Sequence, residues 1–145
     1  MKSKLFFPLL LCLAILPLCS SSSGNTGAEL THLKSWQWEL AKKKAGEQNR
    51  IIFVKGYADY CLPCKFMDEN VFSDPEVINF FNANFVNMLV DVKTEEGKWF
   101  IEKYQLDLLP AMYFFSSDGK LLSAKNGSLD KTSLMKWAQM ITTKN

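Results

Sequence analysis

The length and composition of the chain limit what kind of protein it can be. It has 145 residues, 48% of them hydrophobic, and a formal net charge of +2, which fits one globular domain. Two of its 17 basic residues, Lys2 and Lys4, lie in an N-terminal segment whose removal leaves 15 basic against 15 acidic residues. A neutral domain gives no electrostatic reason to expect nucleic-acid binding.

Residues 1–19 are predicted to be a signal peptide. Lys2 and Lys4 precede an almost uninterrupted apolar stretch from Leu5 to Leu18, which is too short to span a bilayer comfortably. Cys19 ends this stretch as in a bacterial lipoprotein processing site, although Leu18 stands where such sites usually have a small residue. Two outcomes stay open, acylation of Cys19 or ordinary cleavage a few residues later. We therefore expect an exported, periplasmic protein, either anchored to the membrane through a lipid on Cys19 or free of it.

A polar linker is assigned to residues 20–34 and a folded domain to residues 35–145. In the first predicted helix, which Ser35 caps, Trp36, Leu40 and Ala45 are expected on the buried side. The order of the elements predicts an α/β domain with a central mixed sheet flanked by helices. The predicted elements are a helix from Ser35 and Trp36 to about Glu47, a buried strand at Ile51–Tyr57, a helix after Cys61, a helix started by Asp74-Pro75, a buried strand at Phe85–Asp91, an amphipathic helix at Lys93–Tyr104, strands at Ala111–Phe115 and Lys120–Ser123 around Asp118-Gly119, and a closing helix capped by Asp130.

The motif Cys61-Leu62-Pro63-Cys64 follows the first predicted strand directly. Two thiols at this spacing can close a small disulfide and reopen it, and a helix N-terminus favours the thiolate of the first cysteine. Half of a zinc site has the same spacing. The motif alone therefore leaves three interpretations: a thiol–disulfide oxidoreductase, a carrier of a soft metal such as Cu(I), and a binding module with a structural disulfide.

The metal interpretations are the weaker ones. The only histidine, His32, lies upstream of the assigned domain, and no second pair of cysteines or histidines completes four zinc ligands. We therefore expect neither a metal site nor a cofactor.

Two segments and one proline step carry a family resemblance. Residues Tyr57–Lys65 and Val71–Val77, with the Leu109-Pro110 step, resemble the thioredoxin fold. More narrowly, they resemble the exported thioredoxin-like proteins that include the C-terminal periplasmic domain of the thiol:disulfide interchange protein DsbD. The resemblance covers roughly Trp36 to Ile141 and implies a single-domain thioredoxin fold. It also implies a thiol–disulfide oxidoreductase that reduces disulfides of other exported proteins and receives electrons from a membrane thiol protein. We expect a monomer, since no dimerisation segment is visible.

The resemblance also implies the roles of individual residues. Cys61 is the expected nucleophile and Cys64 the thiol that resolves the mixed disulfide, while Pro63 holds the turn between them. The implied substrate-binding positions are Tyr60, Leu62, Leu109 and Pro110, with Pro110 in a cis peptide bond facing the disulfide.

Lys55 is the main departure from the family pattern, which has a buried acidic residue at this position. Asp68, one helical turn after Cys64, matches an acidic position and is a candidate proton relay. Two interpretations stay open. An ammonium near Cys64 would favour its thiolate and make the disulfide a better oxidant, or Lys55 extends to solvent and Asp68 is a surface residue. Lys55 thus favours an oxidase, whereas the Leu62-Pro63 pair favours a reductase.

Overall fold

The computed structural model describes residues 29–34, 37–105 and 108–144. The predicted signal peptide with Cys19, most of the predicted linker, and the predicted helix start at Ser35 and Trp36 lie outside these residues. No helix in the described ranges is long and apolar enough to cross a membrane.

Five strands and five helices follow one another along the described chain. They are β1 (His32–Lys34), α1 (Trp38–Gln48), β2 (Ile51–Tyr57), α2 (Leu62–Asn70), α3 (Pro75–Asn84), β3 (Phe85–Asp91), α4 (Glu95–Tyr104), β4 (Ala111–Phe115), β5 (Leu121–Asn126) and α5 (Lys131–Lys144).

The five strands form one mixed sheet in the order β1-β3-β2-β4-β5. β1 and β2 both run parallel to β3, while β4 is antiparallel to β2 and to β5. Lys55 in the central strand β2 is therefore flanked by Leu89 on one side and Met112 on the other. The predicted α/β domain with a central mixed sheet is confirmed.

The sheet begins earlier than the sequence analysis placed it. His32–Lys34 were assigned to the polar linker, but they form the edge strand β1, which pairs with Asn87–Leu89 of β3. The prediction that His32 lies upstream of the domain is therefore also wrong. A three-residue edge strand is too short to show an alternating pattern in the sequence, so it cannot be recognised without the strand that it pairs with.

Helices cover both faces of the sheet because successive side chains of a strand point to opposite faces. Ile52 and Val54 belong to the core under α1 and α4, whereas Phe53 belongs to the core under α2, α3 and α5. Lys55, two residues after Phe53, is on the second face. The CxxC motif and this lysine are thus brought to the same side of the sheet.

The buried side of α1 differs from the predicted one. Leu40 was expected to be buried but is exposed, whereas Ala45 is fully buried as expected, together with Ala41. Small side chains let this helix approach the sheet closely, and the gap beside them is filled by Trp38, whose ring lies 5.1 Å from that of Phe115.

The predicted helix starts at Asp74 and Asp130 are confirmed. The Asp74 carboxylate accepts the backbone N–H of Glu76 at 2.9 Å, and the Asp130 carboxylate accepts that of Ser133 at 2.8 Å. These are N-cap contacts, in which a short polar side chain satisfies N–H groups that have no partner inside the helix.

Candidate active site

Cys61 and Cys64 form a disulfide at the start of α2, beyond the end of β2. The S–S distance is 2.02 Å and the Cα–Cα distance is 5.3 Å. Cys61 is the N-cap of α2, and its Sγ accepts a hydrogen bond from the backbone N–H of Cys64 at 3.1 Å. The free N–H groups of a helix N-terminus stabilise negative charge, so this position favours a thiolate on Cys61 after reduction.

Both cysteines are buried. Cys61 exposes 4% of its surface and Cys64 only 1%. They pack in a small apolar cluster with Ala58, Val92 and the partly buried Leu109. A partner's sulfur can therefore approach through a narrow opening, and Cys61 is the more accessible of the two.

The Leu109-Pro110 step lies beside the cysteines. Its peptide bond is cis, as the resemblance implied, and Leu109 packs against the cysteine cluster. The carbonyl oxygen of Pro110 accepts the backbone N–H of Gly127 at 2.8 Å. By contrast, the backbone of Leu109 makes no hydrogen bond to another residue that the structure describes, which leaves it available to an extended segment of another chain.

Several large side chains around the disulfide are exposed. Tyr60 and Leu62, both predicted as substrate-binding residues, point to solvent, and Pro63 lies beside them in the first turn of α2. Sequence analysis missed two others, Phe66 and Leu108, which are also exposed. The signal that identifies Phe66 is its position four residues after Leu62, on the solvent side of a helix.

Lys55 is buried, so the interpretation in which its side chain extends to solvent is wrong. It is 2% exposed, its Nζ donates to the Asp68 carboxylate, and it lies 5.0 Å from the centre of the Phe72 ring. Asp68 is half-exposed and follows Cys64 by one turn of α2. The ion pair thus places a buried ammonium against the helix that carries both cysteines.

Burial and pairing act in opposite directions on the charge of Lys55. Burial lowers the pKa of Lys55 below its usual 10.5, and the hydrogen bond to Asp68 raises it, with burial the larger effect. The ammonium therefore relies on the Asp68 carboxylate to remain charged inside the protein.

Two other groups near the site have shifted pKa values. Burial, with Asp91 adding to it, raises the pKa of Tyr57, so its phenol stays neutral. Asp59 accepts a hydrogen bond from Lys93 Nζ at 2.5 Å, and this contact lowers the pKa of Asp59. Asp59 is thus an ionised carboxylate whose charge is balanced by the ammonium of Lys93.

Potential metal ligands do not converge on the cysteines. Among the described residues, no group of three or more His, Cys, Asp or Glu side chains is close enough to hold a metal ion. His32 lies in the edge strand β1, with its Nδ1 3.0 Å from the carbonyl oxygen of Leu30.

Known proteins resemble this chain both in sequence and in three-dimensional structure. A family model described as thioredoxin-like matches residues 33–117. The chain is similar to the thiol:disulfide interchange protein DsbD of Photorhabdus laumondii, with 31% identity over 108 residues that cover 69% of this chain and 18% of that protein. It therefore spans less than a fifth of the length of that relative.

Two solved structures resemble the chain in three dimensions. A thioredoxin from Thermus thermophilus superposes with a TM-score of 0.67 and 25% identity, covering 74% of this chain and 85% of that one. The oxidised C-terminal domain of DsbD from Neisseria meningitidis superposes with a TM-score of 0.63 and 22% identity, covering 73% of this chain and 93% of that one.

Proposed function

Because the chain belongs to the thioredoxin-like family and is a thiol–disulfide oxidoreductase with the thioredoxin fold, we propose that it reduces disulfides in other exported proteins. The observation that supports this best is the position of Cys61. It caps α2, its Sγ accepts the Cys64 N–H at 3.1 Å, and it is the more accessible of the two cysteines. A sulfur held this way is suited to attack as a thiolate.

Two exchange steps carry the electrons. In the reduced protein, the Cys61 thiolate attacks one sulfur of the client's disulfide, and the client's other sulfur leaves as a thiolate that takes up a proton. The Cys64 thiol then loses its proton and attacks Cys61 Sγ, which releases the client's second thiol and forms the Cys61–Cys64 disulfide. The client gains two electrons and two protons. A thiol protein in the membrane then reduces Cys61–Cys64 by the same two exchanges in reverse.

The paired state of Lys55 supports reduction as the direction of transfer. An unpaired ammonium near Cys64 would favour an oxidase, but Asp68 holds the opposite charge within hydrogen-bond contact of it. The field of the pair at the cysteines is therefore small, and the oxidising effect of Lys55 is largely offset. The Leu62-Pro63 pair then supports reduction.

We further propose that the protein works outside the cytoplasm as a monomer. The support is the pattern of residues 1–19, a basic start followed by an apolar run, with Cys19 at its end either acylated or removed. An oxidising compartment is where proteins carry disulfides for such an enzyme to act on.

Trapping of clients tests the assigned cysteine roles. Cys64→Ser removes the resolving thiol, so mixed disulfides with client proteins should accumulate through Cys61 and disappear when a reductant is added. Cys61→Ser should trap almost none, and the double variant gives the background. The readout is a non-reducing gel of the exported proteins followed by mass spectrometry. Equal trapping by both single variants would overturn the roles, and no trapping by either would favour a structural disulfide in a binding module.

A further inference from the structure

We propose that Leu62 and Phe66 form an apolar ridge on α2 that binds a large apolar side chain next to the client's reactive cysteine. This inference rests on the proposed reductase function and names the clients that it favours. They are polypeptide segments in extended conformation whose cysteine is flanked by aromatic or branched aliphatic residues.

The exposure of the two ridge residues is the first observation. Leu62 is 74% exposed and Phe66 59% exposed, while Cys64 and Met67 form the buried side of the same helix. Phe66 therefore adds nothing to the core. Exposed apolar side chains that lie together, and not singly, mark surfaces that contact a partner.

The second observation is the continuity of the ridge with the disulfide. Leu62 follows Cys61 directly, and Tyr60 precedes it and is also exposed. On the other side, the exposed Leu108 adjoins Leu109, which packs against the cysteines. A client's sulfur must reach bonding distance of Cys61 Sγ, which brings the residues next to that sulfur within reach of these side chains.

The spacing of the ridge suits an extended polypeptide. A helix rises 1.5 Å per residue, so Leu62 and Phe66 are about 6 Å apart along α2. Same-face side chains of an extended chain recur about every 6.8 Å. One side of such a segment can therefore place successive side chains along the ridge, while its backbone pairs with the backbone of Leu109.

The charges around the ridge favour a protein over a membrane surface. Asp59 is paired with Lys93, and Lys55 with Asp68, and α2 adds one exposed charge of each sign, Lys65 and Glu69. Positive and negative charges near the ridge are therefore equal in number. Surfaces that bind anionic lipids present an excess of Lys and Arg around their apolar side chains. The balance of charge around the ridge provides no such excess.

A pair of matched peptides tests the inference. Each peptide contains one cysteine held as a mixed disulfide with glutathione, flanked on both sides either by Phe and Leu or by Ser. The reduced protein is mixed with each peptide, and the single-turnover rate of release of peptide thiol is followed by mass spectrometry. The wild type should prefer the apolar peptide about tenfold, the effect of partly burying one aromatic side chain. Phe66→Ser should bring the two rates within about twofold, and Phe66→Leu should keep the preference.

Trp99→Ser is the matched control, because Trp99 is also an exposed aromatic side chain but lies on α4. This variant should keep the tenfold preference. Equal rates for the two peptides with the wild type, or an unchanged preference in Phe66→Ser, would overturn the ridge and leave the reductase function standing. Reduction of neither peptide would overturn both. Loss of binding to phosphatidylglycerol vesicles in Phe66→Ser, with the peptide preference unchanged, would show a membrane contact and overturn the inference.

Discussion

The charged groups near the cysteines are arranged differently in this chain from the arrangement in the family pattern. The family pattern has a buried carboxylate at position 55, and this chain has an ammonium there, with the carboxylate supplied by α2. Lys55 is almost fully buried whereas Asp68 is half-exposed. Removing one partner of such a pair leaves the other uncompensated, while removing both can be nearly neutral. The pair is thus a single electrostatic unit beside Cys64.

Removing the ammonium alone should lower the reduction potential of the Cys61–Cys64 couple. In Lys55→Met the Asp68 carboxylate remains one helical turn from Cys64, at a Cβ–Cβ distance of about 6 Å. A negative charge there disfavours thiolate and so destabilises the dithiol form. We expect a fall of about 10–30 mV, where 30 mV corresponds to about 1.4 kcal/mol. Equilibration with glutathione at pH 7 measures it.

The double variant Lys55→Met/Asp68→Asn completes the test. Because it removes both charges, its potential should return to within about 10 mV of the wild type, and the non-additivity measures the coupling of the pair. Lys131→Met is the control, since Lys131 is also paired with carboxylates, Asp74 and Glu76, but on α5. A fall of the same size in the control would show that the effect is one of overall charge and not of the Lys55–Asp68 pair.

At the scale of elements, α4 lies so close to the end of β3 that there is no room for a side chain at Gly97. A Cβ built on Gly97 would lie 1.9 Å from the carbonyl oxygen of Asp91 and 2.8 Å from the Cα of Val92. Both are backbone atoms that cannot rotate away. Val92 packs against Cys61 and Cys64, so the contact of α4 with β3 also holds one wall of the disulfide site.

Gly97→Ala should therefore destabilise the protein, although alanine is the better helix former. Ala in place of a helical Gly normally stabilises by about 0.5–1 kcal/mol, but here α4 must move away from β3, and we expect a loss of about 2–4 kcal/mol. Gly46 in α1 is the matched control, because its Cβ would meet nothing within 4 Å, and Gly46→Ala should stabilise by about 0.5–1 kcal/mol. Urea unfolding measures both, and stabilisation by Gly97→Ala would contradict the close approach.

At the scale of the whole molecule, we propose that the N-terminal segment determines where the domain works. The domain itself is balanced in charge once Lys2 and Lys4 are gone, with 15 acidic residues matched by as many basic ones. Its surface thus offers no strong attraction to anionic membranes. In this proposal, a membrane location depends on whether Cys19 is acylated.

Cys19→Ala should release the protein from membranes or block its processing if Cys19 is acylated. A diacylglyceryl group buries many CH₂ groups at about 0.8 kcal/mol each, so the wild type should sediment almost entirely with membranes. Fractionation followed by mass spectrometry of the mature N-terminus measures this. A soluble wild-type product that starts after Cys19 would contradict acylation and support ordinary cleavage.

The sequence by itself determined the features that depend on neighbours along the chain. The caps at Asp74 and Asp130, the apolar runs of β2 and β3, and the placement of Cys61 before a helix are all local, because backbone preferences and short-range hydrogen bonds act over a few residues. The resemblance added the Leu109-Pro110 step, which no local pattern connects to the cysteines.

Tertiary structure alone decided what each side chain meets. β1 exists because His32–Lys34 pair with β3, and Leu40 is exposed because α1 approaches the sheet through Ala41 and Ala45. The buried Lys55 has a carboxylate partner because Asp68 reaches it from another element. Phe66 is a surface residue because Met67 and Cys64 take the buried side of α2. Burial and pairing depend on the elements that cover a residue, and those elements are distant in sequence, so a pattern of neighbours cannot specify them.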